Sequence, residues 1–243
     1  MDVISAKRES LASQVYRAIV EGIVVGELAP GSLHSVAKLA DRLNVSRSPV
    51  REALITLSEQ GMVAFERNRG VRIQETTAHD LEEVFSLRLL LEVPAAYRAA
   101  QQMAPVDVVR LGEALGTLED FVGAPSLRVR QEMDARFHRV ILVAAGNTRL
   151  TAVVDNLWAH QKMRGISTAG QTRAATDIYD DHRLIYERLA AGDGLGAAAA
   201  MRRHLTTSGT LLLAQETGSS PSDPAAVLPW SDVYSELKAP GHG

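Results

Sequence analysis

The apolar positions of this chain change their rhythm near residue 76. Before that point, Leu11, Val15, Ile19 and Ile23 recur every fourth residue and predict one helix with a single buried stripe. The run Gly26-Glu27-Leu28-Ala29-Pro30-Gly31 then breaks it with turn formers. Val36, Leu39, Ala40 and Leu43 make a second, shorter stripe behind Ser35, which reads as an N-cap. Only Asn44 and Val45 separate it from a third helix, predicted over Ser46 to Gln60 with Val50, Leu54 and Leu57 facing in. Pro49 falls in its first turn, where a missing N–H costs nothing, and Gly61 ends it. Val63–Phe65 and Val71–Ile73 read as two short strands around the turn Asn68-Arg69-Gly70. Helix, helix, tight turn, helix, hairpin is the order of a winged helix-turn-helix.

From about Ala78 the period is helical throughout, with helices predicted near 78–101, 105–121, 126–145, 148–168, 175–191 and 195–216. Gly146 and the run Gly192-Asp193-Gly194 mark breaks. Stripes such as Leu81, Val84, Leu87/Leu91 and Phe137, Val140/Ile141, Ala144 indicate a bundle around a common core. Residues 217–243 turn rich in Gly, Ser and Pro and are expected to form a flexible tail. The expected fold is mainly α. It divides into a DNA-reading unit over 1–75, a helical unit over 76–216 and the tail.

Composition adds limits rather than identity. At 46% hydrophobic and 23% charged residues, the chain is of ordinary globular make-up. No stretch approaches the roughly 18 consecutive apolar residues of a membrane span, and the N-terminus lacks the apolar region of a secretory signal. Cys is absent, which removes disulfides and thiolate chemistry. Together these point to the cytoplasm. The net charge of -3 hides an uneven distribution. Residues 1–75 carry ten Lys/Arg against nine Asp/Glu, whereas 76–243 carry sixteen against twenty. Five arginines (47, 51, 67, 69, 72) fall within 47–72 against three acids. A basic face suffices for nucleic acid; a basic average is not required.

The segment Ser46-Arg-Ser-Pro-Val-Arg-Glu-Ala-Leu54 is the most informative. With Val50 and Leu54 inward, Arg47 and Arg51 share the opposite face and Ser48 lies beside them. A recognition helix puts its N-terminal residues into the major groove, where Arg meets guanine O6 and N7 with two hydrogen bonds. Ser and free first-turn N–H groups suit phosphate oxygens. The plainer alternative is a pair of solvated surface arginines. The hairpin offers Arg69 and Gly70 at its tip, although Asn-Arg-Gly is also simply a good turn.

These residues resemble a known family. Gly26-x-Leu28-x-Pro30-Gly31, Leu39-Ala40-x-x-Leu43-x-Val45-Ser46-Arg47-x-Pro49-Val50-Arg51-Glu52-Ala53-Leu54-x-x-Leu57, Gly61-x-Val63 and Arg69-Gly70-Val71 look like the N-terminal domain of GntR-family bacterial regulators. The resemblance spans 10–73 and implies a homodimer on a pseudo-palindromic DNA operator. It implies base contacts from Arg47 and Arg51, and wing contacts near Gly70. Where some members carry an arginine at the start of the second helix, this chain has Ala37 with Lys38 beside it, so Lys38 joins the DNA-contacting candidates.

In the second unit, Asp134-x-x-x-His138 places a carboxylate and an imidazole on one helix face, the spacing for chelating a metal. His182 and His204 fall on two later helices. By spacing alone, either the four converge or they are surface residues that never meet. A mixed oxygen and nitrogen set suits Zn²⁺, Ni²⁺, Mn²⁺ or Fe²⁺. This unit resembles the FCD-type effector domain of FadR-like GntR regulators, which carries its metal ligands at the positions of Asp134, His138, His182 and His204. That resemblance implies a divalent metal cofactor and a small carboxylate effector. Arg88 reads two ways, as a fork for the effector carboxylate or as an i,i+4 partner of Glu92. Asn147 likewise reads as a pocket residue or as a helix N-cap after Gly146.

The expected protein is therefore a regulator, most simply a repressor released by its ligand, and not an enzyme. The rivals are a metal-dependent hydrolase and an architectural DNA binder without ligand response. The first is opposed by the missing HExxH pair and the lack of an obvious general base.

Overall fold

The computed structural model describes residues 10–75, 77–119, 127–163, 168, 172–222 and 228. The chain divides at Thr76–Thr77 into two compact units.

The first unit holds α1 (Leu11–Val24), β1 (Leu33–His34), α2 (Val36–Leu43), α3 (Arg47–Glu59), β2 (Val63–Glu66) and β3 (Gly70–Ile73). Ser10 caps α1, its hydroxyl accepting from the Ser13 N–H at 3.1 Å. Val15, Ile19 and Ile23 are buried as expected, but Leu11, in the first turn, is 49% exposed. Ser35 does occupy the N-cap of α2, yet its hydroxyl makes no cap bond. Asn44 ends that helix in the left-handed region at φ 53°, which permits the tight turn into α3. Val50, Ala53, Leu54 and Leu57 bury the inner face of α3 against the core.

The hairpin is joined by a third strand that the apolar pattern does not announce. The antiparallel order is β1-β3-β2, with Leu33 opposite Arg72 and His34 opposite Val71. Two residues are too few for alternation to register. Asn68 turns the hairpin at φ 59°, and Gly70 follows at φ 128°. A Cβ on Gly70 would overlap the His34 carbonyl oxygen of β1, so the third strand requires glycine there.

The second unit is a helical bundle: α4 (Ala78–Gln102), α5 (Pro105–Glu119), α6 (Leu127–Ala144), α7 (Thr148–Met163), α8 (Ala175–Ala190) and α9 (Gly194–Thr217). A capping box starts α4: the Thr77 hydroxyl accepts from the Asp80 N–H while Asp80 accepts from the Thr77 N–H. The long helices α4 and α9 pack along each other, and α8 lies against α9, α4 and α5. Their core includes Phe85, Leu89, Phe137, Ile141, Ile185, Leu189, Leu205 and Leu213, all 2% exposed or less. Ala96, Ala99 and Ala197, fully buried, and Gly209 keep the α4 and α9 backbones close, as small residues must. The expected continuations of α5 to 121 and of α7 over 164–167 fall outside the described residues, as does most of the expected tail, while Thr168, the expected end of α7, is not helical. Leu228, which is described, is 1% exposed and belongs to the bundle core.

Candidate metal centre and DNA-reading surface

Asp134 and His138 lie one turn apart on α6, His182 on α8 and His204 on α9. One ligand atom from each falls within 4.8 Å of all the others. Donors about 2.1 Å from one ion lie up to about 4.2 Å apart, so little contraction would seat them around a common centre. The imidazoles are buried at 0%, 0% and 3% exposure, while Asp134 keeps 28% of its side chain exposed. Phe137 meets the His182 ring edge-on at 4.9 Å, and Trp158 meets His138 at 5.8 Å. Apolar rings thus wall the cluster and hold water back.

The orientation of two of the rings follows from their Nδ1 atoms. His182 Nδ1 donates to the Ile178 carbonyl of its own helix at 2.7 Å. His138 Nδ1 donates to Glu92 Oε2 at 2.7 Å. His204 Nδ1 faces Asp181 Oδ2 at 3.7 Å, beyond hydrogen-bond reach, and Asp181 is itself held by Arg173 and Arg203 at 2.8 Å each. The Nε2 atoms of His138 and His182 are thereby turned toward the region that His204 Nε2 also faces. His138 and His204 bring theirs to 3.3 Å, and His182 Nε2 lies 3.0 Å from Asp134 Oδ1. That last approach is not aligned as a hydrogen bond, and His182 Nε2 is buried without a partner. A cation relieves that approach, whether a proton on Nε2 that makes an ion pair with Asp134 or a metal ion held between the two groups. The donor set therefore fits a divalent transition metal.

The charges agree. Burial, reinforced by the neighbouring His182, pushes His204 down to about 3, so that ring stays neutral and able to ligate. Burial works to raise Asp134, but the His182 contact and the nearby imidazoles outweigh it and hold the carboxyl well below its usual range. Glu92 is held at about 2 in the same way, Arg88 and His138 outweighing its burial.

Arg88 takes the second reading of its sequence position, as the i,i+4 partner of Glu92. It is 2% exposed, gives Nε to Glu92 Oε1 at 2.6 Å and Nη1 to Gln161 Oε1 at 2.7 Å. Its guanidinium lies over Phe85 at 5.1 Å and over Trp158 at 5.9 Å, beside the cluster, and its Nη2 is buried without a partner. Asn147 is elsewhere. Its Oδ1 accepts from the Leu150 N–H at 3.1 Å, and it lines an open pocket with Pro94, Arg98 and Arg149 that includes none of the four cluster residues.

In the first unit, Arg47, Ser48 and Arg51 are exposed on the outer face of α3, and Lys38 is exposed on α2. Neither Arg47 nor Arg51 forms an ion pair with a described residue. The wing is less open. Arg69 Nη1 lies 2.9 Å from Glu66 Oε2, and Arg72 Nε lies 2.5 Å from Glu66 Oε1, so two guanidinium groups share one carboxylate.

Comparison with known proteins decides the class. The family described as bacterial regulatory proteins, gntR family, matches residues 11–73, and the FCD domain matches residues 83–207. The chain belongs to the GntR family of bacterial regulators. Over 202 residues it is 30% identical to the HTH-type transcriptional regulator LutR of Bacillus subtilis, covering 74% of this chain and 91% of that one. It is 27% identical to the HTH-type transcriptional repressor RspR of Escherichia coli, over 79% of this chain and 84% of that one. Escherichia coli McbR/YncC shares its fold, with a TM-score of 0.72 at 22% identity, over 86% of this chain and all of that one.

A GntR regulator is a DNA-binding transcription factor and not an enzyme, which removes the hydrolase alternative. No described helix of this GntR protein is long and apolar enough to cross a membrane. Sequence reasoning named Glu92 only as a partner for Arg88, and it missed Asp181, Trp158 and Gln161. Their involvement depends on helix packing, which no local spacing encodes.

Proposed function

We propose that this regulator binds a pseudo-palindromic operator as a homodimer, and that a small carboxylate effector held beside a divalent metal in the helical unit controls that binding. Arg47 and Arg51 read base edges in the major groove, Ser48 contacts a phosphate, and Lys38, Arg69 and Gly70 approach the backbone. Arg69 exchanges Glu66 for phosphate when DNA arrives.

Asp134, His138, His182 and His204 hold the metal. When bound, that ion supplies a positive centre on which an effector carboxylate oxygen can rest. Arg88 offers its free Nη2 to the effector carboxylate, while Glu92 and Gln161 keep the guanidinium in place. Asn147, engaged in capping α7, is left out of this assignment. An effector that favours one dimer geometry shifts operator affinity by its differential binding and no more. Repression relieved by the effector is the sign we assign, in keeping with the repressor named among the relatives.

The observation carrying the reading is the convergence of Asp134, His138, His182 and His204, one ligand atom from each lying within 4.8 Å of all the others. The test is metal content by atomic emission on the purified protein, followed by operator gel shifts across a panel of carboxylic acids, with and without chelator. About one metal per chain and an acid that releases DNA only from the metal-loaded protein are expected. Protein that takes up no metal, or a DNA response indifferent to chelation, overturns it.

A further inference from the structure

We propose that Glu92 is a positioning residue for the metal centre, orienting His138 from a helix that supplies no ligand of its own. The inference rests on the metal reading above. It begins with the unequal means by which His182 and His138 are held. His182 is oriented within its own helix, Nδ1 donating to the carbonyl of Ile178 four residues earlier. His138 makes no such bond to its own helix; its Nδ1 is directed across to Glu92 on α4 at 2.7 Å. Glu92 does from a neighbouring helix what a backbone carbonyl does for His182.

A buried carboxylate is costly, and pairing with Arg88 would occupy only one of its oxygens. Both are used. Oε1 takes Arg88 Nε at 2.6 Å and Oε2 takes His138 Nδ1, on a side chain only 1% exposed. Arg88 thus fixes the carboxylate, and the carboxylate fixes both the tautomer and the rotation of the imidazole. With hydrogen on Nδ1, the lone pair of His138 is confined to Nε2, the atom 3.3 Å from His204. A partner of this kind typically changes metal affinity about 10–100-fold when removed.

The arrangement also ties the centre to α4, which begins within five residues of the end of β3. Loading the centre therefore bears on the helix that directly follows the wing, although none of its side chains ligates.

The test uses the full-length protein and Zn²⁺, titrated against a competing chelator. Glu92→Leu alone would strand the Arg88 charge, so the variant is Arg88→Met with Glu92→Leu, an apolar pair of similar volume. We expect unchanged stoichiometry and a Zn²⁺ affinity lower by about 10–100-fold. Arg88→Met with Glu92→Gln retains a neutral acceptor and is expected to recover most of that loss. Long-range ¹H–¹⁵N spectra of the metal-free wild type are expected to show His138 with its hydrogen on Nδ1, whether or not any variant folds. Wild type and the Leu variant binding Zn²⁺ within twofold of each other, or a His138 ring with hydrogen on Nε2, overturns the role of Glu92. Wild type that binds no Zn²⁺ overturns the metal reading itself, while the ring spectra still report whether Glu92 orients His138.

Discussion

His138 and His204, 66 residues apart in sequence, meet nitrogen to nitrogen at 3.3 Å in the interior of the helical unit. Charging does not relieve that approach, because burial holds His204 near 3 and so neutral at ordinary pH. A single shared hydrogen or a bound cation does relieve it. Binding linkage gives about 2.7 kcal/mol of stabilisation at a metal concentration 100 times Kd. For a unit of this size that corresponds to a rise in Tm of roughly 5–11 °C. Scanning fluorimetry with Zn²⁺ is expected to show it, with reversal by chelator and little shift for His138→Ala. Equal shifts in wild type and variant would place the bound ion elsewhere.

Arg51 offers the cleanest probe of DNA reading. It is exposed on α3, whereas Val50 and Leu54 of the same helix are fully buried in the core. Arg51→Ala is expected to leave Tm unchanged while weakening operator binding by about 1–3 kcal/mol, roughly fivefold to 150-fold. The loss should concentrate on the operator, since a base contact is worth little on unrelated DNA. Gel shifts on both DNAs at one salt concentration check this, and a uniform loss would reassign Arg51 to phosphate.

Gly70 separates a structural role from a functional one. Its φ of 128° and the overlap that a Cβ would make with the His34 carbonyl both forbid a side chain. Gly70→Ala is expected to destabilise the first unit by at least about 1–3 kcal/mol from backbone strain alone. Thermal unfolding of the isoform carrying this change, compared with wild type, reads the loss directly. A variant of native stability with weak DNA binding would instead make Gly70 a direct DNA contact.

The helical periods were legible because amphipathic stripes are local, and so were the turn before α3 and the capped start of α7 at Asn147. The exposure of Arg47 and Arg51 on α3 was legible because Val50, Leu54 and Leu57 take the inward positions of that helix. Strand β1 was not legible, because Leu33–His34 is held by its pairing with β3 and not by any pattern of its own. The four members of the His/Asp cluster could be named together only through family resemblance; spacing joined Asp134 to His138 and left His182 and His204 open. Glu92 illustrates the remainder. Its place four residues after Arg88 signals an ion pair, whereas its second partner lies on another helix and follows from packing.

Leu228 lies within the stretch whose composition suggests a free tail, yet it is 1% exposed. A Cβ on Gly209 of α9 would approach Leu228 Cδ1 to 2.5 Å and Phe85 Cδ1 to 2.7 Å, so the three groups fill one space. Leu228→Ala is expected to cost about 2–5 kcal/mol, as for other buried leucines. Gly209→Ala is expected to cost about 1–3 kcal/mol by overpacking. The two changes share this space, so their combination should cost less than the sum, because the alanine methyl on α9 enters the volume vacated by Leu228. Chemical denaturation of the single and double variants measures that coupling. Strict additivity, or a Leu228→Ala variant as stable as wild type, would show that residue 228 does not pack on α9 in solution.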